Sequence, residues 1–266
     1  MTTLSRQGIA PADRLRQGAV TVAALFCVLG TLVGVGLIGT RVAESAGGAL
    51  AADATLVAPA GPAFAIWTPI YLGLAGFTVF QWLPTQRAEP RHRAIGWLAA
   101  ASMVLNATWL LVTQQGWIWG SVLVMAALVA TLGLLVRRLG EHPSYGHGET
   151  VLVDGTFGLY LGWVAVAACA NVTAALVASG ADPGGAFAQL AAVVVVGVAA
   201  AVGVLLARRL GGRWAVAVAM AWGLLWIAWG RLTDEPRSLV VALAAVAAAA
   251  VVLAATARVR AHSADH

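Results

Sequence analysis

Eight apolar stretches, at about 18–40, 61–83, 93–114, 117–138, 151–178, 185–207, 213–231 and 236–257, fill most of the chain. Each is near the ~20 residues that carry a helix across a bilayer core. In hydrocarbon, only helices and closed barrels pair every backbone polar group. Apolar residues make up 61% of the 266, and charged residues 10%, which is more apolar surface than a water-soluble domain of this size can hide. The fold class is therefore all-α, a polytopic membrane helix bundle of eight transmembrane helices, with the lipid bilayer as its first partner. The first stretch is long and lacks a convincing cleavage site, so it is expected to be a retained helix.

Arginine placement orients the bundle. All 16 basic residues are arginine. With the N-terminus inside, 13 of them, from Arg6 to Arg260, fall on the inner side, and Arg41, Arg231 and Arg237 fall outside. This bias predicts a multi-pass protein of the plasma membrane with both termini cytoplasmic. The net charge of +5 is then a topology signal and not a nucleic-acid footprint. Cys27 and Cys169 lie inside apolar stretches and give neither a disulfide framework nor metal spacing.

No Asp, Glu, Arg or His falls near the middle of a span, and Asp154 and Arg231 stand at span ends. Ion-coupled transporters, proton pumps and voltage sensors need intramembrane charge. The missing Ser-His-Asp set and zinc-protease helix disfavour buried hydrolysis. The inner loop 139–150 carries Glu141, His142, His147 and Glu149, but at no standard ligand spacing, so it reads as a solvated turn. The outer loop 41–60 is rich in small residues and is long enough to fold over a pocket mouth.

Three spans bring rings and amides to one depth. In the second, Phe64, Trp67 and Tyr71 fall at i, i+3 and i+7 on one face, with a kink expected at Pro69. At ~1.5 Å per residue, Trp67 lies roughly 9 Å and Tyr71 roughly 15 Å below the outer end. In the third, Asn106 and Trp109 share a face, with Asn106 about 12 Å deep. In the fifth, Tyr160, Trp163, Ala167 and Asn171 form a stripe, with Asn171 roughly 10 Å deep. Amides are costly in hydrocarbon and should face inward. Bland readings exist for each residue: Trp109 and the other boundary tryptophans as interfacial anchors, and Asn106 and Asn171 as helix glue. The two small-residue pairs, Gly30 with Gly34 and Gly158 with Gly162, read as close helix packing. The Trp222, Trp226 and Trp229 stripe reads as packing, an outer belt, or an extension of the pocket.

At these residues the chain resembles the TspO/MBR family, the tryptophan-rich sensory proteins related to translocator protein. That family's second helix carries W-x-x-x-Y, matched by Trp67 and Tyr71. Its third carries N-x-x-W, matched by Asn106 and Trp109. Its fifth carries P-Y-x-x-W-x-x-x-A-x-x-x-N, matched by Tyr160, Trp163, Ala167 and Asn171, although Leu159 replaces the proline. The resemblance covers about 18–180, which gives a division into a five-helix unit, 1–182, and three additional helices with a tail, 183–266. It implies a pocket under the first loop, lined by those eight residues, for a flat hydrophobic ligand. A porphyrin or other tetrapyrrole leads, sterol-like lipids come second, and a homodimer is implied. The residues themselves fix no cofactor and no catalytic group. Four activities stay open: ligand binding, uncoupled facilitation of an apolar solute, porphyrin breakdown, and a structural role in which the last three helices dock a partner.

Overall fold

The computed structural model describes residues 10–144 and 146–264, and Arg6, counted above, lies outside the described residues. Among the described residues eight helices are long and apolar enough to cross a membrane, and there is no strand. They are α1 Pro11–Gly34, α2 Gly61–Phe80, α3 Pro90–Gln114, α4 Ile118–Glu141, α5 His147–Ala178, α6 Gly185–Arg209, α7 Trp214–Thr233 and α8 Leu239–Ser263. The chain is a multi-spanning helical membrane protein.

Helix ends depart from the apolar stretches for local reasons. α1 and α3 start early because Pro11 and Pro90 occupy their first turns, where a missing N–H leaves nothing unpaired. α1 stops at Gly34, and the chain unwinds through Gly36 and Gly39 at positive φ. The irregularity expected at Pro69 lies upstream of it: α2 winds as a 3-10 helix over Gly61–Ile66 and becomes α-helical from Trp67. Lacking an N–H, Pro69 offers no bond to the carbonyl four residues back, so the tighter winding ends just before it.

Helices α1, α3, α4, α5 and α2 close a ring in that order, with α2 returning to α1. Outside this ring α7 packs along α5 and touches the start of α2, α8 packs on α7, and α6 on α8. Glycines set two close seams. A Cβ on Gly30 would lie 2.8 Å from the Ala107 Cβ, so α1 meets α3 almost backbone to backbone. On α5, a Cβ on Gly158 would lie 2.7 Å from Ala215 and one on Gly162 2.8 Å from Ala219, which brings α7 equally close.

Charge gathers at the end of the bundle where α1 and α3 begin. Arg91 is only 2% exposed; its Nη2 donates to Asp154 at 2.6 Å, and its Nη1 lies 3.0 Å from Glu149. Asp154 also accepts from Arg213, and Arg93 Nη2 donates to Asp13 at 2.6 Å. This corrects the solvated-turn reading of Glu149, whose side chain is largely covered. A guanidinium withdrawn from water is costly unless it is paired, and the π-wound stretch Thr150–Gly155 sets Asp154 beside Arg91 and Arg213. The network ties α1, α3, α5 and the start of α7 together at this end.

Candidate functional site

At the opposite end a cavity opens inside the five-helix ring. Its floor and walls come from α2, α3, α4 and α5, and its roof from the segment 42–59. Six of the eight residues singled out by the sequence line it: Trp67, Asn106, Trp109, Trp163, Ala167 and Asn171. Phe64, from the 3-10 start of α2, completes the aromatic wall, and Met125 and Leu128 of α4 supply the aliphatic side.

Tyr71 and Tyr160 stand outside the lining and support it. The Tyr71 ring stacks on Trp67 with centroids 5.1 Å apart and planes 17° from parallel. Its hydroxyl oxygen accepts from the Asn106 amide at 3.1 Å. Tyr160 is fully buried, meets Trp67 edge-on at 5.7 Å, and donates its hydroxyl to the Ser102 carbonyl at 3.1 Å. Sequence spacing put both tyrosines on the correct face, one turn too deep to reach the space itself.

The amides are engaged by helix neighbours. Asn171 Oδ1 accepts from Trp109 Nε1 at 3.2 Å, and Asn171 Nδ2 donates to Ser121 Oγ at 3.0 Å, which joins α3, α4 and α5. Asn106 Nδ2 also donates to the Cys27 sulfur at 3.5 Å, which adds α1. Their geometry therefore serves the glue reading while their side chains still border the cavity. Trp109, so engaged, is part of the wall and not an interfacial anchor.

Trp163 differs. It is 1% exposed, meets Phe64 edge-on at 5.5 Å and Trp67 at 6.4 Å, and its Nε1 is buried without a hydrogen-bond partner among the described residues. An indole N–H removed from water and left unpaired is costly, and here it belongs to a side chain that borders empty space. The cavity's free volume is about 70 Å³. Pockets that hold drug-sized ligands span roughly 300–1,000 Å³, so a flat macrocycle enters only if the roof lifts.

Two residues outside the sequence prediction fasten the roof and the start of α2 beside it. Arg231, at the end of α7 and 1% exposed, donates to the Thr55 carbonyl at 3.1 Å and the Ala52 carbonyl at 3.2 Å. Trp222 Nε1 donates to the Ala63 carbonyl at 2.8 Å, and the Ala60 N–H donates to the Trp226 carbonyl at 3.2 Å. Thus the Trp222, Trp226 and Trp229 stripe does not extend the cavity lining, but its first member fastens the 3-10 start of α2. The signal available in the sequence was an arginine beside a tryptophan stripe at a span end, which topology and belt rules absorb without remainder.

Below the cavity the ring interior is packed by Ile70, Phe77, Phe157 and Tyr160, all 0% exposed. A family model described as TSPO-like protein matches residues 19–258, a span that includes α6, α7 and most of α8. No curated protein and no solved structure matches the chain.

Proposed function

The chain belongs to the TSPO-like family, and from that premise we propose that it binds a flat hydrophobic ligand, a tetrapyrrole first among them, in the cavity beneath the 42–59 roof. The observation that carries this reading is Trp163: a buried indole with an unpaired N–H, ringed by Phe64 and Trp67, on the wall of an apolar cavity. Rings stack on a macrocycle, and the free N–H meets an acceptor on its edge. The packed interior below the cavity favours a site open at one end over a facilitator's path through the bundle.

The proposal divides the chain into a ligand-binding unit, 1–182, and a three-helix layer, 183–266, that holds the roof. It includes a plasma-membrane location with both termini cytoplasmic, supported by the arginine-rich end, and a homodimer, measurable by light scattering in detergent. The test is a titration of protoporphyrin followed by its absorbance shift in detergent. The Trp67→Leu, Trp163→Leu double variant, folded by circular dichroism, should bind at least about tenfold more weakly, since each ring contact adds ~0.5–1.5 kcal/mol beyond buried area. Unchanged affinity in the folded variant removes the cavity as the site.

A further inference from the structure

A second, larger space lies at the loop end, outside the five-helix ring. It is a slot of about 360 Å³ between the end of α5 and the start of α6. α6 packs chiefly on α8 and meets α5 lightly, so the two helices diverge here. Leu176 and Val177 of α5 face Ala188, Ala192 and Val195 of α6 across it. From the start of α6 to Val195 the slot runs ten residues, or ~15 Å of helix rise, which is one leaflet of a ~30 Å hydrocarbon core.

Polarity changes along its length. The deep part is aliphatic apart from Thr173, whose hydroxyl is engaged by donating to the Cys169 carbonyl at 3.0 Å. One turn into α6, Gln189 borders the slot, and its Oε1 accepts from the Ser238 hydroxyl at 3.1 Å. The mouth carries Asp182 and Arg237, one charge of each sign. A largely apolar trough one leaflet long, the Gln189 amide near its top and a mixed-charge rim match, in order, an acyl chain, an ester carbonyl and a zwitterionic headgroup. An empty trough would leave its lining without contacts on one side, and acyl chains are the surrounding solvent at that depth.

We propose that this slot is a phospholipid site, holding one acyl chain between α5 and α6 with the headgroup at Asp182 and Arg237. Thr55 borders both the slot and the central cavity, so the bound lipid buttresses the roof segment from outside. The site does not rest on the tetrapyrrole reading and shares with the central cavity only Thr55 of the roof.

Native mass spectrometry of the delipidated full chain, titrated with palmitoyl-oleoyl phosphatidylcholine, tests it. The wild type should retain one lipid per chain under activation that strips the rest. Ala188→Trp and Leu176→Trp fill the slot from opposite walls, and each should cut that occupancy about tenfold or more. Protoporphyrin titration of the same variants reports the central cavity separately. Equal lipid occupancy in the wild type and in a folded variant overturns the proposal, as does retention of free palmitate in place of the phospholipid.

Discussion

The Arg231 guanidinium donates to the Thr55 carbonyl at 3.1 Å, across 176 positions of sequence, and so fixes the roof of a cavity that its own helix does not line. Replacing Arg231 with Met keeps the stem and removes both donors to the roof. The Thr55 and Ala52 carbonyls are then left unpaired, at a cost of ~1–3 kcal/mol for each that stays buried. Hydrogen exchange across 50–56 should rise at least about tenfold in the Met variant, with α3 unchanged. Protoporphyrin association should become faster, because entry requires that segment to move. Wild-type exchange across the roof would remove Arg231 as its fastening.

Ser121 separates the two roles of Asn171. Its hydroxyl partners the Asn171 amide at 3.0 Å yet does not border the cavity. Ser121→Ala should therefore lower thermal stability in detergent by about 1 kcal/mol or less, the usual scale for an interhelical bond in a membrane, with ligand affinity intact. Asn171→Leu also strands the Trp109 N–H, so it should cost more stability and weaken ligand binding. Equal loss of affinity in both variants would mean that the wall acts only through packing.

What the sequence made legible was whatever depends on helical period and apolar length. Eight spans and the common depth of Trp67, Asn106 and Asn171 follow from rules that act within one helix. Arg231 was illegible because its partners are carbonyls of a loop, and a carbonyl leaves no mark in residue type. Glu149 misled because Pro143, Gly146 and Gly148 around it signal a solvent turn, whereas its partner Arg91 starts another helix. The resemblance motifs stop near 180, while the family match continues to 258. That continuation accords with the α5–α7 glycine seam, whose small residues were legible as packing although their partner helix was not.

Gly162→Leu tests that seam. A Cβ there already meets Ala219 at 2.8 Å, and an isobutyl group would force α7 off α5. Overpacking of this kind costs ~1–3 kcal/mol. The variant should melt several degrees lower and, because α7 carries Arg231 and Trp222, should also show raised exchange across 50–63. A change confined to stability, with the roof protected, would argue that α7 and the roof are not coupled.

Asp154→Asn addresses the opposite end. The substitution leaves Arg91 nearly buried with Glu149 as its remaining carboxylate and takes the charge partner from Arg213. Breaking a buried pair by removing one member costs ~3–5 kcal/mol; the partial exposure of Asp154 places the expected loss at the low end. Stability should fall while protoporphyrin affinity in the surviving folded protein stays within about twofold, since the network and the cavity lie at opposite ends of the bundle. A selective loss of affinity without loss of stability would place the network in the binding site.

Trp163→Phe isolates the unpaired indole N–H from the ring that carries it. Phenylalanine keeps an aromatic ring against Phe64 and Trp67, removes the donor and gives up part of the ring area. If the N–H meets an acceptor on the ligand, a charge-assisted bond of ~1.5–3 kcal/mol is lost with a carboxylate-bearing porphyrin. That corresponds to a fall in affinity of about tenfold or more. A porphyrin of the same ring size without carboxylates should lose less affinity in Trp163→Phe, by the share that ring area alone carries. The comparison reads the donor and not the packing, because both ligands lose the same ring area. Protoporphyrin affinity unchanged by Trp163→Phe would leave stacking as the sole contribution of Trp163 and would shift the ligand class toward molecules with an apolar rim.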